Sequence, residues 1–597
     1  MAIHTITGSD PVVRDVTTDW LVAGSGAAGL TSAIVAHQLG GKVLVVEKEA
    51  RYGGTTCKSG GVAWIPANSR QAQWGVQDSV EEGWTYLSSL IGDSVPEARL
   101  RAYAERAREM LDFMLQHSAV DFTPLPDYMD YYESRPGYKP GGRSMDPGAF
   151  DRRLLGDEAR RIRDDYITLF PFSITVREML RLGAMDGGAF LLGARLALRY
   201  WLDLPARLRG EPDRRISLGA GLVAQLRYGL LQRDIPLWLS TPVEELCVED
   251  GRVSGALVSH EGETLRVHAR RGVLLATGGF ARDLALRETW QQPPVSDVWS
   301  AAAPGATGDA VRLGQAVGAQ LGFMGSAWWS PSYRPPGGTA QALISGKAYP
   351  GSIMVNRQGR RFTNEAQPYE DVVKDQYASE ARGEGAVPAW LIFDGRFRRR
   401  YAAGPVKPAW MQPDWRVPAA WFDSGLLTRA DSLESLAEKL GIDAPGLLAT
   451  VQRFNRHARS GEDPEFGRGA TLHDRFYADH KVQPNPSLGP LEEAPFYALR
   501  IEAGDLDTKG GLACDEYGRV LDGAGNVITG LYAAGNASAA VMGDTYPGAG
   551  ATIGSAMTFG YLAARHALGA EAGAPERTRR ATSPSEDHAM QDGEAIA

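Results

Sequence analysis

The stretch DWLVAGSGAAGLTSAIVAHQLGGKVLVVEKEA, residues 19–50, decides the fold. Four apolar residues, Trp20 to Ala23, read as a buried strand that enters a glycine turn. A helix rich in small residues follows. A second strand, Lys42 to Val46, then ends in Glu47. Strand, helix and strand in this order make a βαβ unit, and right-handed crossover makes its strands parallel neighbours. The turn itself, Gly24-Ser25-Gly26-Ala27-Ala28-Gly29, matches GxGxxG. Its first glycine allows the tight turn, the second lets a pyrophosphate approach, and the third packs helix on strand. Glu47 suits a hydrogen bond to an adenosine ribose and repels a 2′-phosphate, so the unit is expected to hold a dinucleotide.

The next loop, RYGGTTCKSGGVAWIPAN (residues 51–68), narrows the choice. Its glycine pairs, Gly53-Gly54 and Gly60-Gly61, flank Thr55, Thr56 and Ser59, with Val62 just beyond. An NAD domain has no use for this second loop, whereas a flavin, whose ribityl chain and ring run past the sheet edge, does. Later glycine clusters offer backbone contacts of the same kind. They are Ala276-Thr277-Gly278-Gly279, the TGDA run with Asp309, and the AAGN run with Gly535 and Asn536. Together they point to FAD. None of these loops contains histidine, so attachment through that residue is not expected. Lys48, Val243, Ala551 and Ile553 complete the expected flavin contacts.

The chain has 597 residues, 43% of them hydrophobic, enough for more than one core. Its 70 glycines exceed the usual share of about 7%. A net charge of −9 excludes the basic face that nucleic-acid binding favours. Three cysteines, Cys57, Cys247 and Cys514, with no metal spacing, exclude a disulfide framework and fit a reducing compartment. No metal site is expected. The opening residues lack the apolar core of a signal peptide. No run reaches the ~18 apolar residues of a spanning helix, so a cytoplasmic enzyme is the default.

The expected architecture is α/β: a discontinuous, Rossmann-like FAD-binding domain with an inserted α+β catalytic or capping domain. Residues 1–326 form the first part, 327–499 the insertion, 500–572 the second part, and 573–597 a disordered tail. VEELCVEDGRVSGALVSHEGETLRVHARRGVLLATGG, residues 243–279, reads as antiparallel ribbon pieces followed by a strand, Gly272 to Ala276, that returns to the main sheet. The leucine-rich run within 165–210 reads as core or lid helices, with a membrane-surface contact as the alternative.

These motifs resemble the fumarate reductase/succinate dehydrogenase-like flavoprotein superfamily and, within it, the 3-ketosteroid Δ1-dehydrogenases. GGTTCKSGGVAWIP, RRFTNEAQPY, GDLDTKGGL, LYAAGN and TYPGAGATIG carry the resemblance, in that family's order. Fumarate reductases place a histidine-threonine pair shortly before a Gly-Gly to grip dicarboxylates. Here Asp507-Thr508-Lys509 stands before Gly510-Gly511, without the histidine. A tyrosine in a glycine turn grips a ketone better than a carboxylate.

The resemblance implies that Tyr546 and the Gly550 N–H hold a C3 carbonyl oxygen, and that Tyr369 takes the C2 proton. It also implies that a further tyrosine in LPDYMDYY supports that base. Tyr128, Tyr131 and Tyr132 are the candidates, and Tyr131 is chosen because it fits the family's spacing to the following GGRS with the smallest gap. The implied reaction puts a C1–C2 double bond into a 3-ketosteroid, with hydride passing to flavin N5 and then to a quinone or other acceptor. Desaturation at Δ4-(5α) is the nearest rival, and fumarate reduction a remoter one.

Overall fold

The computed structural model describes residues 14–163, 170–183 and 186–570. The residues read above as a disordered tail, 573–597, lie outside them, as do the opening residues.

β1 (Arg14–Ala23), α1 (Ala27–Gln38) and β2 (Val43–Val46) form the expected βαβ unit. β1 and β2 pair in parallel, Trp20 opposite Val43 and Ala23 opposite Val46. Trp20, Val22, Val43 and Val45 join one apolar cluster, while Leu21, Ala23, Leu44 and Val46 join another. Both faces of the sheet are therefore covered, which is why the strands read as unbroken apolar runs. Each fully buried Val or Leu contributes roughly 1.5–3 kcal/mol. The one polar atom that Trp20 brings into this core, Nε1, donates to Ser32 Oγ at 3.0 Å.

Next comes the segment that carries α2 (Val176–Gly183) and α3 (Gly187–Leu202). α4 (Leu218–Leu231) then packs on α1. β3 (Leu237–Trp238) pairs in parallel with β2. β4 (Val243–Glu249), β5 (Arg252–His260) and β6 (Glu263–Leu275) make an antiparallel ribbon. The ribbon's last strand and the strand returning to the sheet are one element: β6 pairs with β5 in its first half and runs parallel to β1 along its length. The pairing with β1 shifts register once, between Thr18 and Trp20.

A second, antiparallel sheet follows. It contains β7 (Ala327–Tyr333), β8 (Gln341–Ala342), β9 (Ser352–Val355), β10 (Ala389–Phe393), β11 (Leu427–Ala430) and β12 (Phe496–Thr508). α5 (Tyr369–Ala381) packs against β7. β12 passes through residue 499 unbroken, and its end reaches the first sheet: Gly279 N donates to Asp507 Oδ2 and Phe280 N to Thr508 Oγ1. β13 (Arg519–Leu521) and β14 (Val527–Ala533) then return to the first sheet, and α6 (Ala551–Ala567) covers α1. The first sheet's main path runs β13-β14-β6-β1-β2-β3. Ala23, Leu275 and Ala533 lie side by side in it. The GSGAAG turn, the ATGG loop and the AAGN loop therefore all leave from one edge, at the carboxyl ends of the strands, where ligands of open α/β sheets bind.

The leucine-rich segment departs from the core reading. α3 buries only Ala189 and Leu196 and exposes Phe190 (80%), Leu191 (71%) and Trp201 (59%). α2 packs against it.

Candidate active site

A single cavity of about 1350 Å³ runs from the carboxyl edge of the first sheet to the second sheet. One drug-sized ligand fills some 300–1,000 Å³, so this space suits two ligands end to end. The fingerprint residues Gly24, Ser25, Gly26, Ala27 and Ala28 line it, as do Glu47, Lys48, Gly54, Thr55 and Thr56. So do Ser59, Gly60, Gly61, Val62, Val243, Ala276, Thr277, Gly278, Asp309, Gly535, Asn536 and Ile553. Four predicted contacts stand behind this wall. Gly29 packs against the Gly24 carbonyl, the Gly53 N–H is bound to Ser25 Oγ, the Gly279 N–H to Asp507, and Ala551 is buried in the first turn of α6.

The residues fit FAD. At Gly24, φ is +109° and a Cβ would lie 2.2 Å from the Ala276 carbonyl oxygen, so only glycine brings the two loops this close. Thr277 lines the cavity, and its buried hydroxyl has no hydrogen-bond partner among the described residues, which leaves it free to be satisfied on ligand binding. Glu47 accepts from Ser25 N at 3.1 Å and Ser25 Oγ at 2.5 Å, which fixes its carboxylate at the end of β2. Burial raises the pKa of that carboxyl group. Asp507, at the end of β12, also lines the cavity. It accepts from Asn536 Nδ2 at 3.0 Å, and burial pushes its pKa up to about 6. In the sequence, Asp507 stands out only through the histidine missing beside it.

At the other end of the cavity the predicted tyrosines meet. Tyr369 is the first residue of α5, directed by the preceding Pro368. Tyr546 stands in the glycine turn before α6, and Tyr131 in the loop ahead of Arg143. All three are buried. The ring centroids of Tyr369 and Tyr546 are 5.2 Å apart, of Tyr131 and Tyr546 5.6 Å, and of Tyr131 and Tyr369 5.9 Å. The other two candidates stand differently: Tyr128 lines the cavity too, sharing a 2.5 Å hydroxyl contact with Tyr477 and a hydrogen bond with Tyr131, whereas Tyr132 donates to Asp371 at 3.1 Å. His473, missed in the sequence, stacks edge-on against Tyr131 at 4.8 Å. Burial, then the Lys347 charge, lowers its pKa to about 3, so the ring is neutral.

The turn that carries Tyr546 is fastened from several sides. Trp64 N donates to Gly550 O at 3.0 Å, Ser144 Oγ to Ala549 O at 2.9 Å, and Tyr86 Oη to Pro547 O at 2.7 Å. Tyr131 N donates to Pro547 O at 3.0 Å, which ties the third tyrosine to the same turn. Below it, Asp130 accepts from Trp64 Nε1 and from the buried Arg143, each at 2.7 Å. Gly550 has φ +96°, and a Cβ there would sit 2.5 Å from Val62 O.

Burial raises the pKa of all three phenols, Tyr369 and Tyr131 well above 10. They rest as neutral hydrogen-bond donors. Hydrogen bonds oppose the rise at particular hydroxyls: at Tyr546 those with Thr552, Tyr369 and the Gly550 backbone, and at Tyr369 that with Tyr131. A phenol and a main-chain N–H at a helix N-terminus thus lie together at the cavity wall, groups of the kind that stabilise negative charge developing on oxygen. A second phenol stands beside them.

The model of the FAD binding domain family matches residues 19–553. A 3-oxosteroid 1-dehydrogenase of Mycobacterium tuberculosis is 42% identical over 92% of this chain and 98% of its own. This chain belongs to the 3-oxosteroid 1-dehydrogenase family. The crystal structure of a family member, the 3-ketosteroid Δ1-dehydrogenase of Sterolibacterium denitrificans in complex with 1,4-androstadiene-3,17-dione, superposes with a TM-score of 0.90 at 44% identity. The match covers 93% of this chain and 100% of that one. A 4-oxocyclohexanecarboxylate 2-dehydrogenase of Sinomonas cyclohexanicum is 36% identical, over 93% of this chain and 94% of its own. Family membership carries the FAD cofactor and the oxidoreductase class with it.

Proposed function

We propose that the protein is an FAD-dependent 3-ketosteroid Δ1-dehydrogenase, which puts a C1–C2 double bond into ring A. The observation that carries this reading is the convergence of Tyr369, Tyr546, Tyr131 and the Gly550 N–H at one end of a cavity whose other end is the FAD fingerprint. Gly24 to Ala28, Glu47, Thr55, Thr56, Thr277 and Asn536 would hold the cofactor. When bound, FAD supplies a hydride acceptor. The protein's residues do the rest. Tyr546 and the Gly550 N–H donate to the C3 oxygen and stabilise the enolate that forms as the adjacent proton leaves. Tyr369 takes that proton from C2, and Tyr131 donates to the Tyr369 oxygen as it becomes negative. An apolar substrate filling the cavity displaces water from the phenols, which strengthens each of these interactions.

The test is anaerobic mixing of flavin-loaded protein with androst-4-ene-3,17-dione. Bleaching of the flavin, with a product two mass units lighter and new vinylic C1 and C2 signals, supports the reading. No bleaching with any 3-ketosteroid refutes it. A double bond at C4 in a 5α-substrate would assign the Δ4-(5α) reaction instead. Reoxidation of the bleached enzyme by a quinone tests the acceptor class.

The reading extends to the supply of substrate. The described residues hold no helix long and apolar enough to cross a membrane. α3 nevertheless presents Phe190, Leu191, Leu198, Trp201 and Leu202 outward, and its neighbour α2 lines the cavity through Arg177, Met179 and Leu180. An apolar helix face beside a cavity mouth suits contact with a lipid surface from which an apolar sterone enters. Phosphatidylcholine vesicles are expected to sediment the protein, and the Phe190→Glu/Leu191→Glu variant to stay in solution. Equal sedimentation of both would overturn the contact.

A further inference from the structure

Lys509 lies outside the cavity and is completely buried. Its Nζ donates to Glu370 Oε1 and to the Thr545 carbonyl, each at 2.8 Å, and sits 4.7 Å over the Trp328 ring. The three ammonium protons thus have a carboxylate, a carbonyl and an aromatic face to meet. These partners flank the reactive phenols. Glu370 follows Tyr369 in the chain, Thr545 precedes Tyr546, and the Trp328 ring stands edge-on to Tyr546 at 5.1 Å. Lys374, on the next turn of α5, repeats the bridge farther out: its Nζ lies 3.0 Å from Glu370 Oε1 and donates to Asp544 O at 2.6 Å. Two lysines and one carboxylate therefore join the start of α5, beside the second sheet, to the glycine turn before α6.

Stability alone does not require charge here. A buried ion pair replaced by apolar side chains of similar volume is often neutral or better for stability. What apolar packing cannot supply is a hydrogen bond to one named carbonyl and one named carboxylate oxygen. Proton removal from C2 with the ketone held at C3 needs the two phenols at one fixed separation, because a misplacement of ~1 Å costs about 10²-fold in rate.

We propose that Lys509 is a positioning residue for the dehydrogenation: it bridges Glu370 and Thr545 and so sets Tyr369 and Tyr546 at the distance from one another that the reaction uses. The proposal rests on the ketosteroid reading above.

The test uses flavin-loaded wild type, Lys509→Met, and the double variant Lys509→Met/Glu370→Gln, which removes the buried charge together with its partner. The rate constant for anaerobic flavin reduction by androst-4-ene-3,17-dione is measured per bound flavin, with C2-protio and C2-deuterio substrate. In the double variant, which keeps flavin content and melting temperature near wild type, the rate is expected to fall about 100-fold. KM is expected to stay within threefold, and the isotope effect to rise as C2–H cleavage slows. A purely structural lysine would lower flavin content or melting temperature and leave the rate per flavin alone. Wild-type rate and isotope effect per flavin in either variant overturn the positioning role while the ketosteroid reading stands. Failure of wild type itself to bleach overturns both.

Discussion

Replacing Tyr131 with phenylalanine removes one hydroxyl from the base's surroundings and leaves the ring packing in place. In the resting protein Tyr369 has a pKa well above 10, chiefly through burial, and its hydrogen bond with Tyr131 works against that rise. A hydrogen bond to a charged group is worth about 1.5–3 kcal/mol. One pKa unit corresponds to about 1.36 kcal/mol. Losing the bond should therefore raise the Tyr369 pKa further above its already elevated value. The active form is the phenolate, so below the pKa its fraction grows tenfold per unit of pH. Flavin reduction by a 3-ketosteroid, followed by stopped flow from pH 6 to 10, should rise with a slope near one on a logarithmic plot. The Tyr131→Phe line should run parallel, lower by about 10–100-fold. Tyr128→Phe, which breaks the contact with Tyr477, removes a hydroxyl one step farther from the base and should cost much less. The reasoning fails if Tyr131→Phe matches wild type within twofold, if Tyr128→Phe is the more damaging change, or if the wild-type rate is independent of pH.

Tyr546→Phe takes away one of two donors to the ketone oxygen and should lower the reduction rate by about 10²–10³-fold with flavin content unchanged, as absorbance and single-turnover kinetics will show. Gly24→Ala would press a methyl group to 2.2 Å from the Ala276 oxygen, so the purified variant should lack the visible absorbance of flavin while retaining a folded circular-dichroism spectrum. Gly550→Ala meets the Val62 oxygen at 2.5 Å at a positive φ, and should lose both melting temperature and turnover. Arg143→Met strands the Asp78 and Asp130 carboxylates, each paired with it at 2.7 Å, and should cost about 3–5 kcal/mol in denaturant unfolding.

The βαβ unit and the flavin-facing loops were legible because their causes are local. An apolar run, a glycine turn, a helix of small residues and an acid at the end of the next strand each state their requirement within a few neighbours. The same is true of the YPGAG turn, where the residues needed for tight backbone contact are consecutive. By contrast, β6 looked like two strands because along one edge its first half pairs with β5 and its last residues with β14, and partner choice is not written in a single strand. The leucine-rich helix α3 read as core or lid, with a membrane contact as the alternative, because composition registers apolar content but not what lies opposite it; its exposed face departs from core alone.

The tyrosines show the same division at the site. The family resemblance pointed to Tyr369, Tyr546 and Gly550 as candidates. In LPDYMDYY it offered three phenols at nearly the same chain position. The tertiary structure gives each different neighbours: Tyr477 and Tyr131 to Tyr128, Asp371 to Tyr132, and the rings of Tyr369 and Tyr546 to Tyr131. Lys509 was visible in TKGG as a residue type and silent as to purpose, since its partners lie on α5 and in the turn before α6. The sequence by itself determined which backbone shapes this chain can make and which chemical groups it can bring. Which of those groups face one another was decided by packing, because contacts between distant segments depend on how two sheets and their covering helices come together.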